Sequence, residues 1–336
     1  MEIKRLIERF DRVNLGFLPT PLEHAQNLTN VLQGPRIFFK RDDCTGLAFG
    51  GNKVRKLEFV MADARKRKAD VVITAGGLQS NWVRQIAAAA KKLGMEVILV
   101  LKGDKPQEYQ GNLLLDKMLG CDIRFEKTID IEGELEGKFP YTRRLAEEVK
   151  KRGKIPYLAA LGAENPLGVL GYINALDELK HQLDEMEIEA DYIVLAERGG
   201  GTQAGVEIGI KLLGLRTKVL GIGVGRGRRE ECDKVSELCN ETLDFLQLGN
   251  YQFTPDEVMI NMDYVGEGYA IPTKECVEAI KLVAQKEGII LDPVYTAKAM
   301  AGFIDLIKKG RFKKDDNVIF IHTGGGIANF AYSQLF

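Results

Sequence analysis

Short aliphatic runs alternate with helix-patterned stretches along most of the chain, and this alternation restricts the fold more than any other feature. Leu57, Val60, Met61 and Ala64 recur at helical spacing, and Val71-Val72-Ile73-Thr74 then reads as a buried strand. An alanine-rich helix over 85–93 precedes a strand at 97–101; 113–119 is helical, 123–125 extended, 142–151 helical and 156–161 extended. In a second run, helix 166–183 precedes strand 192–196, helix 203–213 and strand 219–224. Helical patterns over 232–246, 272–287 and 296–308 lead to a last strand at 318–321 and a glycine-rich turn. Strands separated by helices pair through crossovers rather than hairpins, so the expectation is an α/β chain with two open, mainly parallel sheets. Gly50-Gly51 and residues 162–171 are the expected linkers, which would make 51–161 a smaller α/β domain inserted into a larger one formed by 1–50 and 162–336.

Charge and composition remove several function classes. Lys and Arg number 47 against 48 Asp and Glu, so the chain has no bulk attraction for nucleic acid or anionic membrane. At 45% hydrophobic residues it is too apolar for a disordered segment. The longest apolar runs, such as 97–101, are far too short to cross a bilayer. Met1-Glu2-Ile3-Lys4-Arg5 lacks the apolar core of a signal peptide, and the expected compartment is the cytoplasm. The five cysteines include no C-x-x-C pair and the three histidines share no helical face, so no metal site is expected. No G-x-S-x-G elbow is present for serine hydrolysis.

Three glycine-rich turns and a late cluster carry the chemistry. Gly50-Gly51-Asn52-Lys53 places a lysine near a helix start, where it can donate to an anion or, once desolvated, attack a carbonyl. Taken alone, that turn is as readily a helix start with solvated lysines. Gly76-Gly77-Leu78-Gln79-Ser80-Asn81 joins a strand to a helix at the position ligands favour in parallel sheets, although Ser80 and Asn81 would each serve as plain helix caps. Trp82 is either core or pocket wall. Gly199-Gly200-Gly201-Thr202 follows a strand and opens a helix, as a phosphate cradle does. The same residues fit the dinucleotide pattern G-x-G-x-x-A, but the next strand ends Gly223-Val224-Gly225-Arg226 with no acid to hold a ribose. Phosphate binding is therefore favoured over NAD, with an NADP-binding oxidoreductase using Arg226 as the rival. The late cluster comprises Gly268-Tyr269, Asp292-Pro293-Val294-Tyr295 and His322-Thr323-Gly324-Gly325.

In combination, these segments resemble the pyridoxal-phosphate enzymes of the tryptophan-synthase β-subunit fold (fold type II). The likeness is greatest to the branch containing D-cysteine desulfhydrase, L-cysteate sulfo-lyase and 1-aminocyclopropane-1-carboxylate (ACC) deaminase. It runs from Pro19-Thr20-Pro21-Leu22 to His322-Thr323-Gly324-Gly325. The resemblance implies pyridoxal 5'-phosphate, a small amino-acid substrate and a homodimer. It matches Lys53 to the lysine that carries the cofactor, Asn81 to the asparagine beside the pyridine ring, and Ser80 to the serine serving the substrate carboxylate or proton transfer. Gly199, Gly200, Gly201 and Thr202 match the phosphate cradle, Tyr269 and Tyr295 the tyrosines facing the substrate, and Thr323 the hydroxyl residue at the pyridine nitrogen. Thr296 and Thr323 stand where ACC deaminases usually carry an acid and a leucine, which favours β-elimination with release of pyruvate, ammonia and sulfide or sulfite. Five residues depart from the pattern: Trp82 replaces a histidine, Ala163-Glu164 replace a Gly-Ser, and Glu197-Arg198 replace small residues. A non-catalytic ligand-binding protein would share the same fold.

Overall fold

The computed structural model describes residues 3–128, 140–225 and 227–336; Arg226, on which the NADP alternative relied, lies outside them. In chain order the strands are β1 (Leu22–His24), β2 (Arg36–Lys40), β3 (Val71–Gly77), β4 (Glu96–Lys102), β5 (Asp122–Glu126), β6 (Pro156–Leu158), β7 (Tyr192–Glu197), β8 (Lys218–Gly223), β9 (Ile260–Asn261) and β10 (Asn317–Ile321). The helices are α1 (Ile3–Ile7), α2 (Gln26–Leu32), α3 (Lys53–Lys66), α4 (Asn81–Lys92), α5 (Gly111–Met118) and α6 (Pro140–Lys151). They continue as α7 (Pro166–Glu185), α8 (Gly201–Leu213), α9 (Arg228–Phe245), α10 (Lys274–Glu287) and α11 (Thr296–Lys308).

These strands sort into a six-stranded sheet, β1-β2-β10-β7-β8-β9, and a four-stranded sheet, β5-β4-β3-β6. Every pairing is parallel except β1 with β2. The smaller sheet is contiguous in sequence, whereas the larger draws strands from both sides of it. β3 is buried along nearly its whole length and β10 along all of it, as parallel strands covered by helices on both faces must be. Phe39, Val194, Met300, Phe303 and Phe320 anchor the core of the larger sheet.

Helix α3 lies between the two halves, against α4 and α7. Gly171 on α7 permits close approach, because a Cβ there would lie 2.5 Å from the Arg55 carbonyl oxygen. Beneath α3, a buried ionic cluster ties it to β2 and α7. Arg55 donates from Nη2 to Asp42 Oδ1 at 2.8 Å and to Glu178 Oε1 at 2.8 Å. Tyr172 donates to Asp42 Oδ2 at 2.5 Å, and Lys40 Nζ bonds Glu178 Oε1 at 2.5 Å.

The sequence pattern misjudges a few boundaries. The strand expected over 156–161 ends at Leu158, and a single 3-10 turn, Leu161–Ala163, follows. The chain turns there because Gly162 and Ala163 take left-handed backbone angles, φ +62° and +50°. The helix expected from 85 begins at Asn81, capped by Ser80, and the one expected from 232 begins at Arg228. Strands β1, β2 and β9 escape the reading because they are short; β2 has only three apolar residues between two charges. Among the described residues no helix is long and apolar enough to cross a membrane.

Candidate active site

Strands that run parallel bring their carboxyl ends to one edge, and the turns after β3, β7 and β10 meet there. They border a cavity of about 640 Å³, within the range of small-molecule sites. Lys53, Ser80, Asn81, Gly199, Gly200, Gly201, Thr202, Tyr269, Tyr295 and Thr323 all line it, although they are spread over 270 positions of sequence, from 53 to 323.

The Lys53 turn is built by glycine. Gly50 has φ +68°, and a Cβ there would lie 2.0 Å from the Asp43 carbonyl oxygen, so no other residue fits without a shift. Asn52 then joins the turn to the other two walls: its backbone N–H donates to the Thr323 carbonyl at 2.9 Å and its side-chain amide to Thr202 Oγ1 at 3.1 Å. Lys53 opens α3 with its amine at the cavity. Among the described residues that amine makes no hydrogen bond. Burial lowers its pKa, and Arg198 adds to this; Glu164 and Glu197 only partly oppose it. Lys56, one turn later, is fully buried and donates to the Gly162 carbonyl at 3.3 Å. Burial, then the neighbouring Lys53, holds its amine well below the usual lysine range.

The second wall is held by a residue the sequence does not announce. Asn112, buried at the start of α5, donates from Nδ2 to Asn81 Oδ1 at 2.9 Å and to the Gln79 carbonyl at 2.9 Å, and accepts from Arg84 Nε at 2.7 Å. With its carbonyl oxygen engaged, Asn81 is left to present its NH₂ group, which lies against Gly325. Ser80 caps α4, accepting from the Val83 N–H at 3.3 Å, and also borders the cavity. Trp82 proves to be both core and wall: it is buried, donates Nε1–H to Thr74 Oγ1 at 2.9 Å, and lines the cavity.

The late segments form the remaining side. Asp292 accepts from the N–H groups of Val294, Tyr295 and Thr296 at 2.8–3.0 Å, and this turn presents Tyr295 at the head of α11. Its hydroxyl lies 2.5 Å from that of Tyr269, which is exposed at the mouth; burial pushes the Tyr295 phenol up. His322 is fully buried, and burial lowers its pKa against the pull of Asp43, so the ring is neutral. Its Nδ1 accepts from the Gly324 N–H at 3.3 Å, which leaves Nε2 to donate to the Ile290 carbonyl at 3.1 Å. This fixes the turn that carries Thr323.

The family described as pyridoxal-phosphate dependent enzyme matches residues 13–324. The chain belongs to the pyridoxal-phosphate-dependent enzymes. The enzyme is 40% identical, over 99% of its length and 97% of the relative's, to a Pyrococcus furiosus protein provisionally named 1-aminocyclopropane-1-carboxylate deaminase. It is also 40% identical to a Klebsiella pneumoniae D-cysteine desulfhydrase, covering 97% of each chain. A crystal structure of an ACC deaminase homologue superposes with a TM-score of 0.89 at 38% identity, covering 99% of this chain and 97% of that one. A tomato (Solanum lycopersicum) threonine deaminase shares the fold, with a TM-score of 0.68 at 20% identity, over 99% and 88% of the two chains.

The residues present fit pyridoxal phosphate. No side chain caps the N-terminus of α8, so the N–H groups of Gly201 and Thr202 are left as donors for phosphate at the positive end of the helix dipole. A Cβ on Gly199 would lie 1.8 Å from Glu164 Oε1, and one on Gly201 2.7 Å from Lys56 Nζ, so a side chain at either position would displace the charged end of a residue that borders the cradle. Glu197 is an unusual neighbour: its buried carboxylate accepts from the Gly200 N–H at 2.5 Å, and burial pushes its pKa up. Glu164 in turn is paired with Lys234 at 2.6 Å. At Gly200 the constraint is conformational, since φ is +82° and the nearest atom to a Cβ would be 3.6 Å away. Gly200→Val should therefore distort the turn and raise the cofactor dissociation constant by at least about tenfold, because a β-branched residue is a strong outlier at positive φ. Fluorescence titration of the apoenzyme checks this, and an unchanged constant would remove the turn from the phosphate site.

Proposed function

We propose that the enzyme is a carbon–sulfur lyase that eliminates the β-substituent of a small amino acid, releasing pyruvate, ammonia and sulfide as a D-cysteine desulfhydrase does. The observation that carries this reading is Thr323, a neutral hydroxyl bordering the cavity at the end of β10. By resemblance it serves the pyridine nitrogen, and a hydroxyl cannot hold a pyridinium as a carboxylate does. The bound cofactor supplies an electron sink for charge left at Cα, here a moderate one that suits a substrate with a good β-leaving group better than a cyclopropane.

The chain's own residues have separable tasks in this scheme. Lys53 would hold the cofactor's aldehyde carbon and would take the Cα proton from the substrate; burial lowers the pKa of its amine, which favours the uncharged, basic form. Gly201 and Thr202 hold the phosphate. Ser80, the cap at the positive end of α4, receives the substrate carboxylate, and Asn81 serves the pyridine ring of the cofactor. Tyr269 and Tyr295 face the β-substituent, and between them they can donate one proton beyond the hydrogen bond they share. A second reading, sulfite release from cysteate, is favoured by Arg198.

D-cysteine, L-cysteate, ACC and D-serine, assayed for pyruvate or 2-oxobutyrate, test the proposal. The sulfur substrates should exceed ACC in kcat/KM by at least about tenfold, or roughly 1.4 kcal/mol in transition-state stabilisation. Thr323→Val keeps the shape and removes the hydroxyl, so cofactor absorbance and elimination rate should both change. Efficient 2-oxobutyrate production from ACC would overturn the choice of reaction.

A further inference from the structure

Arg84, one turn into α4, is fully buried, and neither the phosphate cradle nor proton transfer accounts for it. A buried guanidinium is normally paired with a carboxylate. Here every hydrogen bond of the group goes to a neutral acceptor. Nη1 donates to the Ala48 carbonyl, Nη1 and Nη2 each donate to the Gly50 carbonyl at 3.2 Å, and Nε donates to Asn112 Oδ1 at 2.7 Å. Burial lowers its pKa to about 10, opposed by Asp116 one turn after Asn112, so it stays a cation at neutral pH. The two backbone acceptors belong to a turn in which Ala48, Phe49 and Gly50 have φ of +44°, +67° and +68°, and this left-handed run leads into Lys53. The third acceptor, Asn112, is the residue that contacts Asn81.

We propose that Arg84 is a positioning residue for the cofactor: acting through Asn112, it fixes the Asn81 amide so that a donor, never an acceptor, faces the cofactor ring, while the same guanidinium holds the turn that delivers Lys53. This rests on the placing of Asn81 beside the pyridine ring given above. A guanidinium has five N–H donors and no acceptor, whereas a primary amide can turn either its oxygen or its NH₂ group to a neighbour. Arg84 therefore obliges Asn112 to face it with Oδ1. That directs Asn112 Nδ2 the other way, where its two protons meet Asn81 Oδ1 and the Gln79 carbonyl, each at 2.9 Å. The Gln79 side chain secures the arrangement by accepting from the Asn112 backbone N–H at 2.9 Å. Asn81 must then answer Nδ2 with its oxygen, and its own NH₂ group is left for the cavity, which Asn81 borders. One cation thus sets the polarity of two amides in series. An N–H donor aimed at the phenolic oxygen of the ring favours the ionised form of that oxygen, whereas a carbonyl in its place would oppose it.

The test has one arm without cofactor and one with it. In the cofactor-free enzyme, with asparagine side chains isotope-labelled and read by NMR, the doubly engaged Asn112 NH₂ should exchange with deuterium at least about tenfold more slowly than the Asn81 NH₂. Arg84→Gln, whose amide can donate or accept, should erase that difference, and Arg84→Lys, which can only donate, should keep it. Asn112→Asp should reverse the pattern: the introduced carboxylate can only accept, so Asn81 turns its NH₂ group inward and becomes the protected amide. In the loaded enzyme, the pH at which the visible absorbance changes should rise by about one unit in Arg84→Gln and in Asn112→Asp, the size expected for one hydrogen bond to a charged oxygen. It should stay near the parent's in Arg84→Lys. An unprotected Asn112 amide in the parent, or exchange that is the same in Arg84→Gln as in the parent, would overturn the relay whatever the absorbance shows. The parent measurement and Asn112→Asp decide the matter if Arg84→Gln does not fold. If the exchange pattern is as expected but Asn81→Ala leaves the absorbance and its pH dependence unchanged, the relay stands and the placing of Asn81 at the ring fails.

Discussion

Lys53→Ala is expected to lower turnover by at least about a thousandfold while leaving the protein folded and able to bind cofactor through the α8 cradle. The size follows from losing two functions in one side chain, covalent attachment and transfer of the Cα proton; the second alone is typically worth about 10²–10⁴-fold. Lys56 is the competing candidate. Its amine is also buried in the cavity wall, and burial likewise lowers its pKa. Geometry separates the two, because Lys56 is tied to the Gly162 carbonyl whereas the Lys53 amine makes no hydrogen bond among the described residues. Borohydride reduction of the loaded enzyme, followed by peptide mapping, should place the pyridoxyl group on Lys53, and Lys56→Ala should keep the characteristic absorbance. A pyridoxyl group found on Lys56 would refute the assignment. A Lys53→Ala enzyme within tenfold of the parent would remove the proton-transfer role as well.

What the sequence reveals of this site follows a physical rule. Lys53, Ser80 and Asn81, Gly199–Thr202 and Thr323 stand at or beside glycine turns, and three of those four segments follow apolar runs. Strand ends in a parallel sheet are visible as such, so their convergence is predictable before any contact is known. Residues that act through partners distant in sequence are not visible in this way. Asn112 orients Asn81 from 31 positions away, yet in sequence it is an unremarked polar residue at a helix start. The capping role of Asp292 depends on N–H groups whose orientation only the folded turn defines. Lys56 and Arg55 belong to a run of charges that reads as a solvated helix face, and both are in fact fully buried. Glu197 and Arg198 register as departures in sequence; only the structure shows that one engages the cradle and the other stacks on the tyrosine wall.

Arg55→Met should cost about 3–5 kcal/mol of stability, because it strands the buried Asp42 carboxylate rather than merely deleting a contact. Asp42 is fully buried, and Arg55 reaches it across 13 positions and Glu178 across 123. Burial alone would push the Asp42 pKa up; Arg55 first, then Lys40 and Tyr172, outweigh it and hold the carboxyl below its usual range. Glu178 is likewise pushed up by burial and held down by Arg55 and Lys40. Carboxyls depressed in the folded state contribute stability that is complete above their unfolded pKa values, about 4, and is lost as pH falls through the folded ones. The parent should therefore lose stability on acidification below about pH 4. In Arg55→Met the dominant influence on Asp42 becomes burial, its folded pKa rises above the unfolded value, and its contribution reverses sign: protonation relieves the stranded charge. Urea midpoints measured at pH 7 and near pH 4 should converge between parent and variant. Adding Asp42→Asn to Arg55→Met should recover part of the loss at pH 7, since the stranded charge is then gone. A deficit that is constant with pH and unaffected by Asp42→Asn would mean that Arg55 stabilises α3 by packing alone.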